Sequence, residues 1–323
     1  MAELFGELLG QPRAVALLEA ALRQRRVAPA YLFAGPDGVG RRLAALRFLE
    51  GLLAGAQGPG DPALRRRLAQ GNHPDLLWVE PTYSHQGKLV PASQAQAEGV
   101  NRRTPPQLRL EQIREISRFL ARRPVEARGA MVVLEAAEAM AEAAANALLK
   151  TLEEPGDGLL ILISAAPDQL LSTIRSRCQQ IPFRRLEPPL LRQVLERQEN
   201  PHDTAAGEGD PPELLELAAG SPGALLEHRR QWRALPDGLA ERLVALPADP
   251  VVALTLARDL SEALDGDQQL WLLNWLQLSR WRREPRPAEV ERLERLRRQL
   301  RSHVQPRLAW EVALLELAGL KTA

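Results

Sequence analysis

An α/β domain followed by helical regions is the architecture that this sequence predicts, and three observations predict it. Up to about residue 186, short apolar runs alternate with amphipathic stretches, the pattern of a parallel sheet covered by helices. Over 187–212, prolines, glycines and polar residues interrupt that pattern. Beyond about residue 232 the strand signal is gone, and five of the six tryptophans lie at or after Trp232. The breaks divide the chain into an α/β domain over 1–186, a small helical domain over 187–231 and a helical bundle over 232–323.

Five apolar runs supply the strands of a five-stranded parallel sheet: Tyr31–Ala34, Leu76–Val79, Met131–Leu134, Leu159–Ile163 and Gln179–Phe183. Between them, Leu110, Ile113, Ile116 and Leu120 recur at spacings of three and four, as do Ala145, Leu148 and Leu152, which predicts helices over 108–120 and 141–152. Residues 80–107 are rich in Pro, Gln, Ser and Gly without apolar periodicity, and read as a surface excursion. Pro188-Pro189 opens a short helix and Asn200–Pro212 reads as a polar loop. In the last third Trp271, Trp275 and Leu278, then Val290, Leu293, Leu296 and Leu300, then Leu308, Val312 and Leu315 keep helical spacing, so these faces are expected to form the bundle core.

Composition excludes several functions. Apolar residues at 45% and charged residues at 26% describe a folded globular chain. No apolar run approaches the roughly 20 residues of a membrane span, and the opening residues lack a basic stretch followed by an apolar run, so a soluble, cytoplasmic protein is expected. The single cysteine, Cys178, excludes a disulfide framework and a multi-cysteine zinc site, and the five histidines show no paired ligand spacing. With 42 basic and 41 acidic residues the net charge is +1, so any nucleic-acid contact has to come from a local patch. The run Arg292–Arg301 reads as a solvated helix face laced with acidic neighbours.

Three motifs carry chemistry. Gly35-Pro36-Asp37-Gly38-Val39-Gly40-Arg41-Arg42 stands between a strand and a helix, where a phosphate loop belongs. Gly35, Gly38 and Gly40 keep the spacing, but Arg41 and Arg42 occupy the places of the lysine and of the metal-binding hydroxyl. The run Met131–Leu134 ends in Glu135-Ala136-Ala137-Glu138, which leaves Glu135 where a metal-organising carboxylate belongs and alanine where the base should follow. Glu138 three residues on reads as a helix-start glutamate, with replacement base as the alternative. Ser176-Arg177-Cys178, beside Arg175, lies just before the fifth run. An arginine there suits stabilisation of a transferring phosphoryl group, with a surface salt bridge as the plain alternative. Cys178 reads as a small buried thiol.

Together these residues resemble the delta-prime subunits of the bacterial DNA polymerase III clamp loader, within the clamp-loader branch of the AAA+ ATPases. The resemblance covers nearly the whole chain. It rests on Gly10-Gln11, the loop Gly35–Arg42, Asn72-His73-Pro74-Asp75, the run Asn146–Pro155 and the segment Leu170–Gln179. The insertion after Trp78 and the segment His303–Leu308 look most like cyanobacterial members. The resemblance implies an AAA+ P-loop domain, a small helical lid and a C-terminal helical collar through which five subunits join in a ring. It also implies that Arg177 acts in trans as an arginine finger, in the ATP site of a neighbouring subunit. Implied partners are gamma/tau-type ATPase subunits and a delta subunit, with the sliding clamp and primed DNA reached through the assembly. No membrane is involved, and the expected location is the nucleoid-associated replisome.

The departures from active relatives are informative. Those relatives carry Lys and Ser/Thr at Arg41 and Arg42, an Asp-Glu pair at Glu135-Ala136, and a lid arginine where Gly220-Ser221-Pro222-Gly223 puts Gly223. Many also carry a four-cysteine zinc module, which a chain with Cys178 alone cannot build, so no zinc is expected. The expected function is therefore a non-hydrolysing stator with no required cofactor. ATP or ADP binding is expected to be weak or absent, although backbone donors survive loss of hydrolysis. The alternatives are an active ATPase with a divergent loop, and a stand-alone DNA-binding module using Arg102-Arg103, Arg122-Arg123 or Arg292–Arg301.

Overall fold

The structure, a computed structural model, describes residues 4–54, 60–95, 97–100, 105–154, 156–198, 211–302 and 304–320. The chain divides into two compact units, residues 1–198 with 220–223, and residues 199–219 with 224–323.

In the first unit α1 (Pro12–Gln24) leads to β1 (Ala30–Ala34), α2 (Arg41–Leu53), α3 (Pro62–Ala69) and β2 (Leu76–Val79). A two-stranded antiparallel ribbon follows, β3 (Thr82–His85) and β4 (Lys88–Pro91). Then come α4 (Leu110–Leu120), β5 (Met131–Leu134), α5 (Glu142–Glu153), β6 (Leu159–Ser164), α6 (Ser172–Arg177), β7 (Gln179–Pro182) and α7 (Pro188–Gln198). The main sheet runs β2-β5-β6-β1-β7 and every pair in it is parallel. The five sequence runs are its five strands. Parallel strands covered on both faces bury every residue, which is why β5 and β6 read as unbroken apolar runs. On one face Leu32, Val132, Leu134, Leu160 and Leu162 join Ile113, Ile116 and Leu148 in a single core. On the other, Tyr31 meets Phe48 of α2 edge-on, with ring centroids 5.2 Å apart.

Residues 80–107, read in sequence as a surface excursion, contain regular structure of their own. Their first part is the β3–β4 ribbon, turned at Gln86-Gly87, both at positive φ. Val90, Ala95 and Val100 bury against Tyr83 as a small separate core.

The second unit is helical among its described residues: α8 (Pro212–Ala218), α9 (Pro222–Arg233, from Ala224 on), α10 (Leu239–Val244), α11 (Pro250–Ala263), α12 (Gly266–Arg283), α13 (Pro287–Arg301) and α14 (Pro306–Leu317). Asp249 and Asp265 cap α11 and α12 through their carboxylates. Trp271, Trp275, Leu293 and Leu296 are buried as the spacing predicts. The face expected for α14 is corrected. Leu308 is 52% exposed, and the helix buries Ala309, Trp310, Ala313, Leu314 and Leu317 instead. Trp310 has no solvent exposure and its indole N–H donates to Gln269 Oε1 at 3.0 Å, a pairing that fixes the helix rotation. The expected loop Asn200–Pro212 lies outside the described residues up to 210, as do Arg102-Arg103, Pro155 and His303.

Candidate functional site

The phosphate loop connects β1 to α2 at the carboxyl end of the sheet, where open α/β sheets bind ligands. Gly35 is held by donation of its amide to the Ser164 carbonyl at 3.1 Å, and at φ +156° a Cβ there would overlap the Phe183 carbonyl. Gln11 fixes the loop from the side: its amide group donates to the Val39 and Arg184 carbonyls at 3.3 and 2.7 Å and accepts the Arg184 amide at 3.0 Å. Gln11, which in the sequence carries part of the family resemblance, has this clamping role in the fold. The amides of Gly38, Val39, Gly40, Arg41 and Arg42 carry no hydrogen bond among the described residues.

The loop's side chains do something other than hold a magnesium nucleotide. Arg41 is buried, and its guanidinium pairs with Asp37 inside the same loop. Arg42 reaches across to the end of β5, where its Nη1 lies 2.5 Å from Glu135 Oε1, and its guanidinium carbon stands 4.5 Å from the Trp78 ring centroid. The two positions that would share a magnesium ion in an active relative are therefore joined to each other. Ala136, at φ +47°, follows with no base. Glu138 sits in a single 3-10 turn (Ala137–Ala139) before α5, not at the start of α5, and its Oε1 accepts the Ala165 amide at 3.0 Å.

Gly220–Gly223 lies against the loop. The Ser221 hydroxyl donates to the Asp37 carbonyl at 2.7 Å, and the Gly223 amide donates to the Gly38 carbonyl at 3.0 Å. A Cβ on Gly223 would stand 2.7 Å from Gly38 Cα, so backbone meets backbone where active relatives carry an arginine. A cavity of about 620 Å³ remains, lined by the loop, Glu135 and Ala136 on one side and by Glu80, Pro81, Ala92 and Pro106 of the excursion on the other. These residues do not fit a magnesium nucleotide.

Arg177 is not among the residues lining that cavity. It ends α6, and its side chain, 36% exposed, donates to the Thr173 carbonyl at 3.0 Å and to Glu153 Oε1 at 2.8 Å. Ser176 is exposed and its hydroxyl donates to the Thr173 carbonyl. Cys178 is buried, and burial pushes its thiol up to about 12, which makes it inert. Arg175 pairs with Asp168 at 2.8 Å. Glu153, missed in the sequence, is the final residue of α5 and part of the quoted run Asn146–Pro155.

The Asn72–Asp75 motif is a structural clamp. Asp75 accepts the amides of Val125, Glu126 and Ala127, each at 2.7 Å, and its own amide donates to His73 Nδ1 at 3.2 Å. Burial by itself would raise the Asp75 carboxyl, but the three donors hold it below its ordinary value. Burial and the neighbouring Arg67 lower His73. Three arginines of the basic run on α13 are tied to acceptors: Arg292 donates to the Glu316 carbonyl, Arg295 pairs with Glu316 and Arg297 with Glu294. That matches the laced, solvated face. Among the described residues no group of three His, Cys, Asp or Glu side chains could hold a metal ion, and no helix is long and apolar enough to cross a membrane.

Comparison with known proteins gives this arrangement a family. A family model described as DNA polymerase III, delta subunit, matches residues 10–187, more than half of the chain. A second, the cyanobacterial DNA polymerase III delta prime C-terminal domain, matches residues 190–317. The chain belongs to the DNA polymerase III delta prime family. The delta' subunit of Bacillus subtilis is 32% identical over 197 residues, 59% of this chain and 53% of that protein. The delta' subunit of Pseudomonas aeruginosa is 38% identical over 158 residues, 47% of this chain and 42% of that protein. The alignments thus span about half the length of these delta' relatives. A gamma subunit-related protein of DNA polymerase III from Thermotoga maritima superposes with a TM-score of 0.55 at 17% identity, covering 94% of this chain and 98% of that one. At that identity the likeness concerns the fold, which is AAA+-like: a five-stranded parallel sheet followed by a helical C-terminal region.

Proposed function

We propose that this delta prime family member is a non-hydrolysing subunit of the DNA polymerase III clamp loader. It completes a heteropentameric ring with gamma/tau-type ATPase subunits and a delta subunit. It also donates Arg177 as an arginine finger to a neighbour's ATP while the assembly loads the sliding clamp onto primed DNA. In this reading the first domain is followed by a lid over 187–231 and a collar over 232–323. The chain needs neither zinc nor nucleotide, and it works in the cytoplasmic replisome.

The observation that carries the reading is a contrast within the first unit. In its own phosphate site Arg42 and Glu135 are paired with each other, whereas Arg177 lies outside that cavity with its guanidinium partly in solvent. Such arginines are supplied in trans in many phosphoryl-transfer assemblies and are worth large factors in rate. The collar reading is supported by apolar side chains left in solvent on packed helices, Val251 and Leu254 on α11 and Leu308 on α14.

The test is reconstitution with ATPase partners, delta subunit, clamp and primed DNA. Arg177→Ala is expected to lower ATP hydrolysis roughly tenfold or more with the complex intact. An unchanged rate overturns the finger. Turnover by the isolated wild-type chain would favour an active ATPase instead, and salt-dependent DNA binding without partners would favour a stand-alone module.

A further inference from the structure

We infer that Glu153 is the positioning residue of Arg177, fixing its guanidinium before a neighbouring subunit's phosphates arrive. This rests on the trans-finger reading above. A guanidinium carries five N–H donors. Here one bonds the Thr173 carbonyl at 3.0 Å and one bonds Glu153 Oε1 at 2.8 Å, so two points define the plane and three donors stay available. A free arginine would have to freeze its rotamers at the transition state; one already fixed does not.

The mount itself is built on two packed helices. Glu153 ends α5 and Arg177 ends α6, and each charged residue is next in sequence to a buried one, Leu152 at 7% exposure and Cys178 at 8%. Leu152, Leu148, Ile174 and Cys178 belong to one core cluster, and α5 packs against α6. The small buried thiol after Arg177 thus has a packing role, and Glu153 is delivered to the guanidinium by the same contact. Arg175 is already engaged by Asp168. With 36% and 52% of the two side chains exposed, the Glu153–Arg177 pair adds little to stability, so its effect falls on geometry.

The experiment is a double-mutant cycle in the reconstituted loader, with assembly followed by size-exclusion chromatography and folding of each chain by circular dichroism. Glu153→Ala is expected to lower kcat for ATP about five- to tenfold with KM unchanged. Glu153→Gln, which keeps an acceptor oxygen at the same reach, should recover at least about half of the wild-type rate. In an Arg177→Ala background Glu153→Ala should cost nothing further. A normal rate for Glu153→Ala beside a defective Arg177→Ala overturns the role of Glu153 and leaves the finger standing. A loss from Glu153→Ala that persists without Arg177 also overturns it, as a general structural effect. A normal rate for Arg177→Ala removes the finger reading itself.

Discussion

The Arg42 guanidinium joins Glu135 at 2.5 Å while lying over the Trp78 ring. As a source of stability the pair is minor, because Arg42 is 56% exposed and such pairs contribute less than about 1 kcal/mol. Its consequence is positional: a cation already occupies the place a magnesium ion would take between loop and strand end. Titration of ADP into the isolated chain should therefore give the same isotherm in magnesium as in EDTA, or no heat in either. Arg42→Thr supplies a hydroxyl and frees Glu135, so it should make ADP binding sensitive to magnesium, still without turnover because Ala136 offers no base. Wild-type binding that tightens with magnesium would sink this account.

Gly223 makes a second, independent prediction. Its amide donates to Gly38 at 3.0 Å, and any Cβ would press on the Gly38 backbone at 2.7 Å. Gly223→Ala should cost about 1–3 kcal/mol, the usual range for forcing atoms into filled space. Urea denaturation measures it. Restoring the relatives' arginine at this position is expected to be no better tolerated, so the lid arginine cannot be regained by one substitution. Equal stability of Gly223→Ala and wild type would show that the loop yields.

The sheet was legible because buried parallel strands leave unbroken apolar runs, as at Leu159–Ile163. The β3–β4 ribbon was not, since Thr82–His85 and Lys88–Pro91 are short, half-exposed and mostly polar; only the turn at Gln86-Gly87 marked it. On α14 the leucine spacing pointed to the wrong face, because the buried face is built partly from Ala309 and Ala313, whose small side chains weigh little in an apolar count. Trp310 on that face carried the better signal. The loop glycines and Glu135 could be picked out because they follow the ends of β1 and β5 in recognisable local patterns, and Arg177 because its Ser-Arg-Cys pattern stands just before β7. Their partners could not. Arg42 and Glu135 are 93 residues apart, and Arg177 and Glu153 are 24, and no local pattern encodes either pairing.

Asp75 predicts an acid-sensitive clamp. Removing its carboxylate leaves three amides of the 125–127 segment without their acceptor, so Asp75→Ala should cost about 2–3 kcal/mol near neutral pH. The carboxyl is held below its ordinary value. Its contribution is therefore present above the pKa of the unfolded chain and is lost as pH falls through the lower, folded value. Wild type should lose stability along that acid limb, and Asp75→Ala should lose less of it. Denaturation midpoints measured from neutral pH down to about pH 3 compare the two; parallel curves would assign the acid sensitivity to other carboxylates.

Cys178 gives the opposite sign at the other end of the scale. Burial raises its thiol from 9.0 to about 12, so the folded state favours the protonated form. The stability this contributes is complete below the ordinary thiol range and drains away as pH rises towards the folded value. Because the thiolate is the reactive species, the native chain should resist a thiol-specific disulfide reagent at pH 8 and react with one equivalent once unfolded in guanidinium. Cys178→Ser places a hydroxyl in the cluster shared by Leu152 and Ile174, and should lower stability by about 1–3 kcal/mol. Rapid labelling of the native protein would mean that the α5–α6 contact opens readily, and Arg177 would then lack the fixed mount that its position beside Cys178 provides.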